Sequence, residues 1–153
     1  KGLDTDKKLV IAGGGSDTSD FELHLHELAS DDPRIVFTGF VSGEPLEELY
    51  SNCFAYVLPS DVEGMPMSLL EAMAYGRCCV TSDIPECADV LAGNGVTFEK
   101  GSAELLRDVL RDLLARGGRV SQLGIAAKAH VEKTYTWDSV VERTLAAYEG
   151  EAR

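Results

Sequence analysis

The chain lacks the roughly eighteen-residue apolar run that a membrane helix needs, so none of its 153 residues is predicted to span a bilayer. Its first residues, "KGLDTDKK", are polar from the start and do not form the apolar core of a signal peptide. Positive charge is scarce. Fourteen Lys and Arg face 26 Asp and Glu, a net charge of −12, which argues against nucleic acid and anionic membrane as bulk partners. A small anion held locally by backbone amides remains compatible with that balance. The four cysteines, Cys53, Cys78, Cys79 and Cys87, contain no CxxC pair. They read as buried free thiols of a reducing cytosol rather than a disulfide framework or a zinc site. There is no internal repeat, low-complexity tract or linker. With 44% apolar and 26% charged residues, the chain is predicted to be one cytoplasmic globular domain with a core of its own.

What is present is an alternation of short apolar runs with helical patterns. "KLVIAGGG" reads as a buried strand ending in glycines, and "FELHLHELA" as a helix with Phe21, Leu25 and Leu28 on one side. "RIVFTGF", "FAYVLPS", "CCVTS" and "GVTFE" supply four more strands. Between them lie "EPLEELYSNC", a helix ending at Gly76, and "PECADVLA"; three helical stretches then run to the C-terminus. Such alternation predicts an α/β fold, a doubly wound, Rossmann-like parallel sheet sandwiched by helices, with ligands at the carboxyl ends of the strands.

The loop after the third strand carries "DVEGMPMSLLEAMAYG", with Glu63 and Glu71 eight residues apart around a helix entry. Gly64 would let backbone approach a ligand closely. Free N–H groups of Met67, Ser68 and Leu69 would favour an anion such as a pyrophosphate. A carboxylate beside a phosphate is repulsive, so the two glutamates make sense one on each side, accepting bonds from vicinal hydroxyls. Sugar, pyrophosphate and ribose in line would fit that arrangement. The competing reading is local: "SLLE", Ser68 to Glu71, matches a capping box, and Glu63 a solvated loop acid. On pattern alone the two stand level.

The run from "RIVFTGF" through "EGMPMSLLEAMA" to "SDIPE" resembles the C-terminal half of the family 4 retaining glycosyltransferases of the GT-B fold, whose signature is two glutamates separated by seven residues. The resemblance extends over nearly the whole chain, from about Lys8 to the final helix. It implies that Glu63 holds hydroxyls of the donor sugar and Glu71 the ribose. Backbone at Met65, Met67, Ser68 and Leu69 would meet sugar and phosphates, and Gly39 and Phe40 the nucleobase. Pro66 stands where many members carry glycine, which removes one amide from the cradle.

The family's phosphate-clamping Arg and Lys have no match here. Lys1-Gly2 lies only five residues from Lys7, where the family places a whole helix. The expectation is therefore a fragment, with the clamp and an N-terminal acceptor-binding domain upstream, that binds donor weakly and turns over nothing. No metal and no cofactor is expected, the nucleoside diphosphate sugar being a substrate. No protein nucleophile can be assigned, and departure of the diphosphate would rest on electrostatic stabilisation. Rival readings are another GT-B enzyme, glycogen-synthase-like or a nucleotide-sugar epimerase, and a non-catalytic flavodoxin-like module. His24, His26 and His130 read as surface or partly buried residues. "AGGGSDTSD" reads as a turn with Asp or Ser capping the next helix, Glu44, Glu47 and Glu48 as a solvated face, and Trp137 with Tyr148 as an anchor for the last helix. In full-length relatives that helix crosses back to the N-terminal domain, so in a fragment some of its apolar face is expected to be bare.

Overall fold

The computed structural model describes residues 2–14 and 19–150. The sequence readings for Lys1, for residues 15–18 of the glycine-rich turn, and for residues 151–153 fall outside them. Five strands and seven helices follow in the expected order among the described residues. They divide into two compact units, Lys1–Leu49 and Tyr50–Arg153.

The first unit contains strand β1 (Leu9–Ala12), helix α1 (Ser19–Ala29) and strand β2 (Ile35–Gly39). β1 and β2 pair in parallel from Leu9 opposite Ile35 to Ala12 opposite Gly39, with an irregularity after Ile11. Gly39 takes a positive φ of 67°, which glycine adopts without the usual side-chain penalty, and its carbonyl accepts from the Gly13 amide at 2.9 Å. Arg34 straps this unit together. Its Nε and one terminal nitrogen donate to the two carboxylate oxygens of Asp32 at 2.9 and 2.7 Å, and the other terminal nitrogen donates to the carbonyls of Leu3 and Thr5. That guanidinium holds the Asp32 carboxyl well below the usual carboxylate range.

One expectation fails here. β1 was read as buried, yet Leu9 is 49% exposed, and Phe21 and Leu28 of α1 are exposed as well. A parallel strand is buried only where neighbours cover both its faces, and among the described residues β1 pairs with β2 alone.

Helix α2 (Glu44–Asn52) crosses the unit boundary, with Glu44, Glu47 and Glu48 exposed as expected. The second unit holds strands β3 (Tyr56–Leu58), β4 (Cys79–Ser82) and β5 (Val96–Phe98), paired in parallel in the order β3-β4-β5. Helices α3 (Met67–Ala74) and α4 (Pro85–Leu91) make the crossovers. Such parallel units are right-handed almost without exception. α5 (Ala103–Ala115), α6 (Gly117–Thr134) and α7 (Trp137–Tyr148) complete the chain. The central strand β4 is buried throughout, Leu69 and Met73 of α3, Leu91 of α4 and Leu113 of α5 are fully buried, and Leu113 shares a core cluster with Val80 of β4. Each such side chain contributes about 1.5–3 kcal/mol of burial.

α3 ends at Gly76, whose φ of +68° makes it the expected C′ glycine, and its backbone lies directly against Gly124 of α6. Cys78, Cys79 and Cys87 are buried free thiols and Cys53 is half-buried. Burial raises all four and pushes Cys78 up to about 11. At α7 the expected anchor is not seen and the expected bare face is: Trp137 and Tyr148 are each 83% exposed, and Val140, Val141 and Leu145 are exposed as well. The helix has no buried residue. It is held locally by Thr136, whose hydroxyl accepts from the Ser139 amide at 3.1 Å.

Candidate functional site

The entry to α3 is built by a tight turn rather than by a capping side chain. Pro66 is the N-cap, at φ −75° and ψ 80°, near the geometry of an inverse γ-turn. The turn closes as the Met67 amide donates to the Met65 carbonyl at 2.8 Å, and Leu69 and Leu70 donate to the Pro66 carbonyl. The expected row of three free amides is therefore incomplete. Met67 and Leu69 are engaged in the turn, and only the Ser68 amide is left out of it.

Ser68 and Glu71 do not form a capping box. With Pro66 as N-cap, Ser68 is already inside the helix, and its hydroxyl accepts from the Tyr56 phenol at 2.7 Å. Glu71 does not reach back to the Ser68 amide; its Oε2 accepts from the Tyr50 hydroxyl at 2.9 Å. The local reading fails because the cap lies two residues earlier than the pattern requires. Glu71 itself is exposed.

Glu63 shows the same arrangement on the loop side. It is half-buried, and its Oε1 accepts from the Ser60 hydroxyl at 2.6 Å. Each glutamate thus has one oxygen fixed by a neutral hydroxyl donor. No cation pairs with either among the described residues' ion pairs, so both carboxylates keep acceptor capacity for further O–H donors.

Gly64 stands before open space, since a β-carbon built on it would meet nothing within 4 Å. Met65 and Met67 are exposed on either side of the turn. Behind the entry, the Tyr50 ring stacks on Tyr75 with centroids 5.4 Å apart and tilts against Tyr56 at 6.0 Å. Burial, and the bond to Glu71, raise the Tyr50 phenol; burial pushes Tyr56 up to about 12. Both remain O–H donors at neutral pH. The loop is also tied from below, where the Lys100 ammonium reaches the Asp61 carbonyl at 3.4 Å and the Lys100 amide donates to Asp83.

Among the residues expected at a site, Glu63, Gly64, Met65, Met67, Ser68, Leu69 and Glu71 lie together at this entry, and Leu69 is buried beneath it. Gly39 and Phe40 belong to the first unit, with Phe40 82% exposed. Tyr50 and Ser60 escaped sequence reasoning, because only the fold brings their hydroxyls to the glutamates. No group of three or more His, Cys, Asp or Glu suited to a metal ion occurs among the described residues. No described helix is long and apolar enough to cross a membrane.

Comparison with known proteins gives this entry its context. A family described as "Glycosyl transferases group 1" matches residues 2–116. The chain is 33% identical over 144 residues to the uncharacterized glycosyltransferase MJ1607 of Methanocaldococcus jannaschii, covering 92% of this chain and 36% of that protein. It is 27% identical over 159 residues to a GDP-mannose-dependent monoacylated alpha-(1-6)-phosphatidylinositol monomannoside mannosyltransferase of Corynebacterium glutamicum, covering 97% of this chain and 40% of that one. It spans less than half the length of either relative. Among solved structures, HepE of Anabaena in complex with UDP and glucose superposes with a TM-score of 0.85 at 15% identity, over 94% of this chain and 40% of that one. That last likeness concerns the fold, which is the α/β fold of the GT-B glycosyltransferases. The chain belongs to the group 1 glycosyl transferases, resembling family 4, and matches a C-terminal stretch of that architecture.

Proposed function

We propose that this chain is the donor-binding half of a retaining glycosyltransferase, which moves a sugar from a nucleoside diphosphate sugar to an acceptor alcohol. The observation that carries the reading is the matched state of Glu63 and Glu71, each with one carboxylate oxygen anchored by a hydroxyl and capacity left for a diol. Glu71 takes the ribose hydroxyls and Glu63 those of the sugar. The backbone from Gly64 to Ser68 faces the diphosphate, with the Ser68 amide as its first donor. Met65, Met67 and Leu69 contribute backbone to the same turn. Base contacts are proposed for Gly39 and Phe40 on the family resemblance. HepE was solved with UDP and glucose, and the Corynebacterium relative is GDP-mannose-dependent, so the donor is taken from the UDP or GDP series.

The reaction needs no cofactor in this reading. The acceptor attacks from the face that the diphosphate leaves, the departing phosphate takes the acceptor proton, and amides with cations stabilise the leaving charge. The clamping Arg and Lys and the acceptor-binding domain are supplied outside this chain, in a cytoplasmic enzyme of glycan or glycolipid assembly. This chain alone binds donor weakly and is inactive.

Two measurements test the reading. Glu63→Gln should weaken a nucleotide sugar about 10-fold while leaving the bare diphosphate nearly unchanged, the loss of one charge-assisted bond; equal weakening of both would contradict the assignment of Glu63 to the sugar. In the full-length protein, NMR of donor hydrolysis should give the donor's own anomer first. The opposite anomer would rule out retention.

A further inference from the structure

A glutamate on an exposed helical face ordinarily samples several rotamers, and a ligand that needs one of them must bear the cost of ordering it. Glu71 is exposed, yet its Oε2 already accepts a 2.9 Å bond from a tyrosine that is itself only 8% exposed. The Tyr50 ring has little freedom. It stacks on Tyr75 with planes 18° apart and is tilted against Tyr56 on another side. The carbonyl of Ser68 lies 3.4 Å from the same hydroxyl, a longer contact than the carboxylate makes. A buried tyrosine hydroxyl needs an acceptor, and that carbonyl, already on the helix, would have met the need. The hydroxyl makes its shorter bond to the carboxylate, with the Ser68 carbonyl as a longer second acceptor.

We propose that Tyr50 is a positioning residue for nucleotide recognition, fixing the Glu71 carboxylate in the orientation that receives the ribose diol. This rests on the reading of Glu71 as the ribose acceptor. Tyr50 does not touch the nucleotide; it acts through Glu71 in two ways. Its bond holds one oxygen, so the other is presented in a single orientation. It also donates to the carboxylate without neutralising it, as a cation would, so the acceptor strength of the free oxygen is kept. Pre-ordering of one long side chain corresponds to roughly a 5- to 10-fold gain in affinity.

The test is calorimetric titration of the full-length protein with UDP and GDP, and with the 2′,3′-dideoxy counterpart of whichever binds. The wild type is compared with Tyr50→Phe, Tyr56→Phe and Glu71→Gln. Tyr50→Phe keeps the stacked ring and removes only the hydroxyl. It should weaken the ribonucleotide about 5- to 10-fold and the dideoxy nucleotide hardly at all, so the preference for ribose shrinks. Tyr56→Phe removes a neighbouring hydroxyl that bonds Ser68 rather than Glu71, and should keep that preference even where its melting temperature falls. If Tyr50→Phe keeps the ribose preference while Glu71→Gln loses it, Tyr50 is a packing residue and the proposal is overturned with the site intact. Equal loss in Tyr50→Phe and Tyr56→Phe would be a packing effect and overturns it too. If Glu71→Gln keeps the preference, the ribose reading of Glu71 fails and the proposal falls with it.

Discussion

Gly124 of α6 lies so close beneath the carbonyl of Gly76 that a β-carbon at 124 would overlap the carbonyl oxygen and approach its carbon at 3.0 Å. Both obstructing atoms are backbone, so neither can rotate away. The end of the helix that carries Glu71 is therefore seated on α6 by direct backbone contact. Gly124→Ala should destabilise the fold by about 3 kcal/mol, the upper end for overpacking, because α6 must shift as a body. Thermal or urea unfolding measures it. A loss under half a kcal/mol would mean that the two helices are not held at this separation.

Gly64 makes the opposite case. No protein atom lies within 4 Å of the β-carbon it lacks, and its φ is outside the left-handed region. Gly64→Ala should leave stability unchanged or raise it by about 0.5 kcal/mol, through the unfolded chain. Its effect should fall on the ligand, with diphosphate binding weakened 10-fold or more as the methyl blocks close approach. Unchanged binding in a fully folded variant would remove Gly64 from the site.

The Asp32–Arg34 clasp sets a pH signature for the first unit. Its folded carboxyl lies below the ordinary value near 4, so its contribution is present in full above that value and is lost as pH falls through the lower folded one. Asp32→Asn should lower the melting temperature at neutral pH by an amount that starts to narrow below about pH 4 and closes only in stronger acid. A gap that is the same at pH 7 and at pH 2 would show that the charge is irrelevant and the amide simply packs badly.

The order of strands and helices was legible because hydrophobic period and glycine or proline boundaries are local properties; Gly76 and the burial of β4 follow from them directly. The fate of apolar faces was not. Leu9, Phe21 and Trp137 look like core residues in sequence, but burial depends on which element packs against them, and nothing local specifies that. At the site, the glutamate pair and Gly64 were legible as types and spacing. Its hydrogen bonds were not. "SLLE" satisfies a capping-box pattern, yet the turn at Pro66 moves the cap two residues back. Tyr50 reaches Glu71 from 21 residues away and Ser60 reaches Glu63 from three, so neither partner could be inferred without the fold.

The central claim is that Glu71 binds the ribose of a nucleoside diphosphate. Its most direct test is calorimetric titration of the wild type and Glu71→Gln with UDP, GDP and ADP in one buffer. The account predicts binding of one series in the wild type, weakened roughly 10- to 100-fold by a substitution that removes the charge and keeps the shape. Equal affinity in the two proteins would contradict it and leave Glu71 as a surface partner of Tyr50.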